Sequence, residues 1–108
     1  MTMTLCKLND PAHGWLVISL DDADRLGLDV NSFTNFSFYD ADSFYAEEDC
    51  DAAVILVAHH RKFGTMPTVH EQHSDHYAAC RNFRRCSGKS AAYEEAHRYL
   101  DRIWSVPA

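Results

Sequence analysis

The sequence predicts a small α+β domain: a small antiparallel sheet packed with two or three helices, in the order β-α-β-β-α-(β)-α. Three observations carry this. "GWLVISL" (Gly14–Leu20) is a run of β-branched and aromatic residues. "SFTNFSFYDADSFYAEE" (Ser32–Glu48) partly alternates around a turn-like centre. "DCDAAVILVAHHRKFG" and "SAAYEEAHRYLDRIW" have helical spacing with helix-end signals. At 108 residues the chain is predicted to form one domain spanning 1–108.

Taken in order, Gly14–Leu20 is the first predicted strand. "DDADRLGL" follows as a short helix, with Asp21 as cap, Ala23 and Leu26 facing inward, and Gly27 at a left-handed C-terminal position. Next comes a hairpin. Phe36 and Phe38 share one face, Ser37 and Tyr39 the other, and Asp40-Ala41-Asp42-Ser43 makes the turn. Six of the thirteen aromatics lie between Phe33 and Tyr45, more than a half-exposed sheet hides easily.

In the second helix Asp49 is the predicted N-cap. Glu47, Glu48 and Asp51 lie near the positive end of the dipole, and His59, His60, Arg61 and Lys62 near the negative end. Gly64 is the predicted terminator, and Cys50, Ala53, Val54 and Val57 form the inward stripe with Leu56 beside it. Val69–Gln72 reads as a loop or edge strand after Pro67. The last helix is capped by Ser90 and buries Tyr93, Ala96, Leu100 and Ile103, with a Glu94–Arg98 pair on its outer face.

Net charge is -6, unevenly placed. Between Asp21 and Asp51 ten acids face one base, Arg25; from Ala52 onward eight bases face five acids. Such a first half repels nucleic acid and attracts basic surfaces. Tyr39, Asp40, Asp42, Tyr45, Glu47, Glu48, Asp49 and Asp51 are therefore the candidate partner-binding residues, the tyrosines as aromatic anchors.

Other chemistries have weaker support. His70, His73, His76 and Cys80, with Cys86 nearby, are zinc-ligand types in a spacing that matches no finger, ribbon or knuckle. Arg81, Arg84, Arg85 and Lys89 surround Phe83, a pattern that holds single-stranded nucleic acid. A zinc-dependent or nucleic-acid-binding regulatory module built on these residues is the alternative. Cys50 in a first helical turn is a candidate thiol, opposed by the acids around it. Paired carboxylates such as Glu47/Glu48 lack a calcium-loop pattern, and four glycines form no phosphate loop. No catalytic residue and no cofactor is predicted. No apolar run reaches the roughly 18 residues of a membrane span, and no basic-then-apolar leader opens the chain. The expectation is a cytoplasmic protein with four reduced thiols.

"HGWL", "LGL", "FSFYD" and "YAEEDCDAA" together resemble a group of small proteins encoded by phages, prophages and plasmids that carry a GWL…YLEEDCD-like pattern. The likeness covers about half the chain, from His13 to Phe63; Ala46 stands where the group has leucine, and "FSFYD" replaces a serine–tyrosine alternation. The resemblance implies a mobile-element setting in a bacterial host cell. It also implies a non-enzymatic inhibitor of a host nucleic-acid-handling defence complex, of anti-CRISPR or anti-restriction type. The implied partner is a basic protein surface of that complex.

Overall fold

The computed structural model describes residues 1–76, 78–88 and 92–104. Its six strands are β1 (Thr4–Asn9), β2 (Gly14–Ser19), β3 (Phe38–Tyr39), β4 (Ser43–Glu47), β5 (Thr68–His73) and β6 (Arg84–Arg85). The helices are α1 (Leu20–Arg25), α2 (Ala52–Phe63) and α3 (Ala92–Trp104), and short 3-10 turns occupy Val30–Ser32 and Ala79–Asn82. The sheet order is β5-β1-β2-β4-β3-β6. The α+β class holds, with three helices and a small sheet.

The sheet is mixed rather than wholly antiparallel, because β5 returns from α2 to lie parallel to β1. Strand β1 is an addition to the expected order. "TLCKLN" has only Leu5 and Leu8 as strong apolar residues, and they point to opposite faces, so no one-sided alternation marks it. The edge strand expected at Val69–Gln72 is present as β5, outermost in the sheet and exposed along its length.

Both faces of the sheet are covered, and this answers where the aromatics go. On the helical side, Leu16 and Ile18 of β2 and Phe44 and Ala46 of β4 pack with Phe33, Val54, Ile55 and Leu100. The alternate residues Trp15, Tyr45 and Phe38 meet Ala78, Cys80 and Phe83 on the other side. The segment carrying Ala79–Asn82 thus roofs a second small core. Of the six clustered aromatics only Phe36 stays exposed, at 59%.

The helix ends differ from expectation in instructive ways. Ser19, not Asp21, caps α1, its Oγ accepting from Asp22 N at 3.1 Å. Helix α2 begins at Ala52, with Asp51 in the N-cap position and no side-chain cap bond. Asp49 is not the cap. The Asp51 carboxylate is engaged elsewhere, on Thr34 and Ser37. Gly64 closes α2 in the left-handed conformation (φ 74°), its N–H donating to His60 O at 2.8 Å.

His59 corrects the dipole reading at its own position, being fully buried. Its Nε2 accepts from Met3 N at 2.9 Å and its Nδ1 faces Thr65 O, so the ring ties the chain start to the loop after α2. Helix α3 buries Ala96 and Leu100 as expected, while Ile103 lies at the exposed end of the stripe. Glu94 accepts from the Tyr93 hydroxyl at 3.2 Å, and among the described residues no ion pair joins it to Arg98. The expected Ser90 cap lies outside the described residues.

Candidate functional site

Strand β4 separates the eight candidate partner-binding residues into two groups at its ends. Tyr39, Asp40 and Asp42 lie at the β3–β4 turn; Glu47, Glu48 and Asp49 follow the far end, with Tyr45 between and Asp51 beyond. At ~3.3 Å per residue the ends of β4 are on the order of 13 Å apart.

At the turn, Asp40 Oδ1 accepts from Asp42 N and Ser43 N at 2.9 Å each, and Oδ2 accepts from the Tyr45 hydroxyl at 3.1 Å. These donors, led by the Asp42 N–H, hold the Asp40 carboxyl below the usual carboxylate range. Burial, reinforced by Asp40, pushes the Tyr45 hydroxyl up to about 12. Tyr45 is therefore half-buried structure, packed on Phe83, rather than a free anchor. Tyr39 is also half-buried and tilts against Phe44.

Sequence reasoning did not join this turn to α1. Leu20 N donates to Asp42 O at 2.9 Å, which brings the first turn of α1 beside the hairpin tip. The two turns that carry Asp21, Asp22, Asp40 and Asp42 so adjoin in one acidic corner, where Asp21 and Asp42 are exposed and Asp22 and Asp40 half-buried. The local base, Arg25, pairs with Asp22 at 3.2 Å. Arg84, opposite Tyr39 across β3 and β6, bounds the corner on its other side.

The far group is largely structural. Asp51 is 0% exposed. Its Oδ2 accepts from Thr34 N at 2.9 Å, from Thr34 Oγ1 at 2.7 Å and from the Ser37 hydroxyl. Burial removes Asp51 from any docking face. Glu47 is 8% exposed, and its Oε2 accepts from Asp49 N and Cys50 N at 2.9 and 3.0 Å. Burial pushes its carboxyl up. Glu48 pairs with Lys7 at 3.0 Å, and this bond raises the ammonium's pKa. Asp49 is exposed.

Comparison with protein-family models, with curated proteins and with solved structures returned no match. The residues must therefore speak for themselves.

The zinc alternative is not assembled. His70, His73 and His76 are exposed, Cys80 is buried beneath the second core, and the four do not converge. Among the described residues one group of metal-ligand type does come together: His13, Glu47 and Asp49, with all ligand atoms within 4.8 Å. Sequence reasoning passed over His13. Its signal was the turn "DPAHG", whose Asp10 Oδ1 accepts from Ala12 N and His13 N at 2.9 Å. Gly14 leaves room beside it: a Cβ there would lie 2.5 Å from Asn9 Oδ1 and 2.7 Å from Glu48 Oε2, so those side-chain ends would have to move. Glu48 N donates to Gly14 O at 3.0 Å across that approach.

The expected basic patch is dispersed and partly engaged. Arg81 clamps Asp10 through Nε and Nη2 at 2.7 and 3.1 Å and lies over the Trp15 ring. It holds the Asp10 carboxyl well below the usual carboxylate range. Arg85 donates to Asn35 O and covers Phe38. Phe83 packs on Tyr45; Arg84 is exposed; Lys89 lies outside the described residues. The thiols are poorly activated. Burial, followed by nearby acids, raises Cys50, and burial raises Cys80 to about 11 and Cys86 to about 12.

No described helix is long and apolar enough to cross a membrane.

Proposed function

We propose that this is a non-enzymatic binding protein that sets its acidic corner against a basic protein surface. In its finer form the reading is an inhibitor, carried by a phage or other mobile element, of a host nucleic-acid-handling defence complex, most specifically a CRISPR effector. The observation that carries it is the meeting of the α1 first turn with the β3–β4 turn. Four aspartates gather there against Arg25, already paired with Asp22, and Arg84 at the rim. Like charges held together by backbone geometry favour a cationic partner and repel nucleic acid. The resemblance of "HGWL…YAEEDCDAA" to mobile-element proteins supports the setting. The contact surface is narrower than the sequence suggested: Asp21, Asp22, Asp40 and Asp42, with Tyr39 at its edge.

The alternative, direct binding of nucleic acid through Arg81, Arg84 and Arg85, has less support. Two of those guanidinium groups are engaged within the fold. The test is DNA cleavage by purified CRISPR effector complexes of several types with the protein in excess. Inhibition of one type, lost on the double reversal Asp21→Lys and Asp42→Lys, is the expected result. Inhibition that survives the reversal, or none across the panel, counts against the proposal.

A further inference from the structure

The end of β4 away from the acidic corner opens onto a cleft of about 440 Å3. Trp15 and Phe38 line it, Arg81 and Arg85 border it, and His13, Glu47 and Asp49 stand together within it. We propose that His13, Glu47 and Asp49 form a binding site for one divalent transition-metal ion. The ion would be of the kind that accepts mixed imidazole and carboxylate ligands, such as Zn2+, Co2+ or Mn2+.

The first support is the ligand set. One imidazole and two carboxylates offer three ligand atoms, all within 4.8 Å of one another. Borderline cations take this mixture of donors, and three protein ligands leave positions for water.

The second support is independent of the cluster's composition. The Glu47 side chain is 11% exposed, and its two oxygens are used unequally. Oε2 takes both backbone N–H donors, from Asp49 and Cys50. Among the described residues Oε1 accepts no hydrogen bond; it faces His13 Nδ1 at 3.9 Å, beyond hydrogen-bond range. That oxygen keeps contact with solvent in the cleft, so a cation can reach it there. The two N–H donors act as orienting bonds behind a metal ligand, fixing Oε2 so that Oε1 is presented toward His13. Trp15 adds a second unanswered group to the same cleft, a buried indole N–H with no partner among the described residues. A water on the ion would give that N–H an acceptor.

The scaffold is stiff where a metal site needs it. The His13 backbone is held through Asp10, which Arg81 and Ala78 N hold in turn. Ser37 Oγ accepts from Glu47 N at 3.0 Å. The site lies at the opposite end of β4 from the proposed docking corner and does not depend on it.

The test is titration of Co2+ into the purified full chain, followed by visible absorption and by the His13 ring resonances in NMR. Saturation at one equivalent is expected, with selective broadening at His13. His13→Ala and Asp49→Asn should each weaken binding at least about tenfold while amide dispersion stays native, since both residues are exposed. Glu47→Gln should do the same, its amide oxygen still accepting both backbone N–H groups. The triple variant His70→Ala, His73→Ala, His76→Ala should bind as the wild type does. Loss in that triple variant with retention in His13→Ala overturns the proposal. So does the absence of saturable binding below about 1 mM.

Discussion

Asp51 offers the sharpest quantitative prediction, because one oxygen of one buried side chain stitches the loop at Thr34–Ser37 to the start of α2. In Asp51→Ala three donors lose their acceptor: Thr34 N–H, the Thr34 hydroxyl and the Ser37 hydroxyl. All lie in buried residues. Hydrogen bonds to a charged group contribute about 1.5–3 kcal/mol each, and removing one partner strands the other. The three share one acceptor and relax together, so the sum overstates the loss. Each stranded neutral donor costs about 1–3 kcal/mol, and with partial relaxation of the three the expected total is about 3–5 kcal/mol. For a domain of this size it corresponds to a fall in Tm of roughly 12–30 °C, much of a typical stability. Asp51→Asn should behave differently. Its amide oxygen can still accept, and the NH2 replaces Oδ1, which has no partner among the described residues. The charge leaves the interior, so the net cost should stay below about 2 kcal/mol. Urea unfolding monitored by circular dichroism checks both variants. A loss below about 1 kcal/mol for Asp51→Ala would refute the structural role assigned to this carboxylate.

The pH response provides another check. Arg81 depresses the Asp10 carboxyl in the folded state, so its contribution is present above the unfolded value near 3.8 and is lost as pH falls through the lower folded value. Stability of the wild type should decline below about pH 4, and Asp10→Asn should flatten that decline in urea midpoints taken from pH 5 to 2. An unchanged slope would detach Asp10 from the effect. The cysteines give a chemical readout. With burial raising Cys80 to about 11 and Cys86 to about 12, both should resist iodoacetamide at pH 7.5 until urea unfolds the chain. Cys50 should react more slowly than a free thiol; fast labelling at that position would revive it as a nucleophile.

Much of the fold was legible in local pattern. Gly14–Ser19, the hairpin around Asp40–Ser43, α2 up to its Gly64 terminator and α3 all carry periodicity or end signals set by nearby residues. What escaped depends on contacts distant in sequence. Strand β1 has two inward faces because Ala78 and Cys80, some seventy positions later, roof the second core. The parallel β1–β5 pairing likewise leaves no mark on either strand alone.

The candidate site shows the same division. "EEDCD" looked uniform in sequence, but its acids have separate tasks. Glu47 holds a turn, Glu48 meets Lys7, Asp49 faces solvent, and Asp51 anchors a loop. Alternation along β4 cannot reveal this, since the partners come from β1, the Thr34–Ser37 loop and the turn itself. The joining of α1 to the hairpin tip rests on one backbone bond, Leu20 N to Asp42 O, which no side-chain pattern encodes.

The central claim is that docking belongs to the acidic corner and not to the far end of β4. A paired charge-reversal experiment against the same effector complex tests it most directly. One variant carries Asp21→Lys and Asp42→Lys; the other carries Glu48→Lys and Asp49→Lys. Surface-plasmon-resonance affinities at fixed ionic strength should fall at least about tenfold for the first and stay within about twofold for the second. Equal losses, or the larger loss in the second variant, would contradict the account.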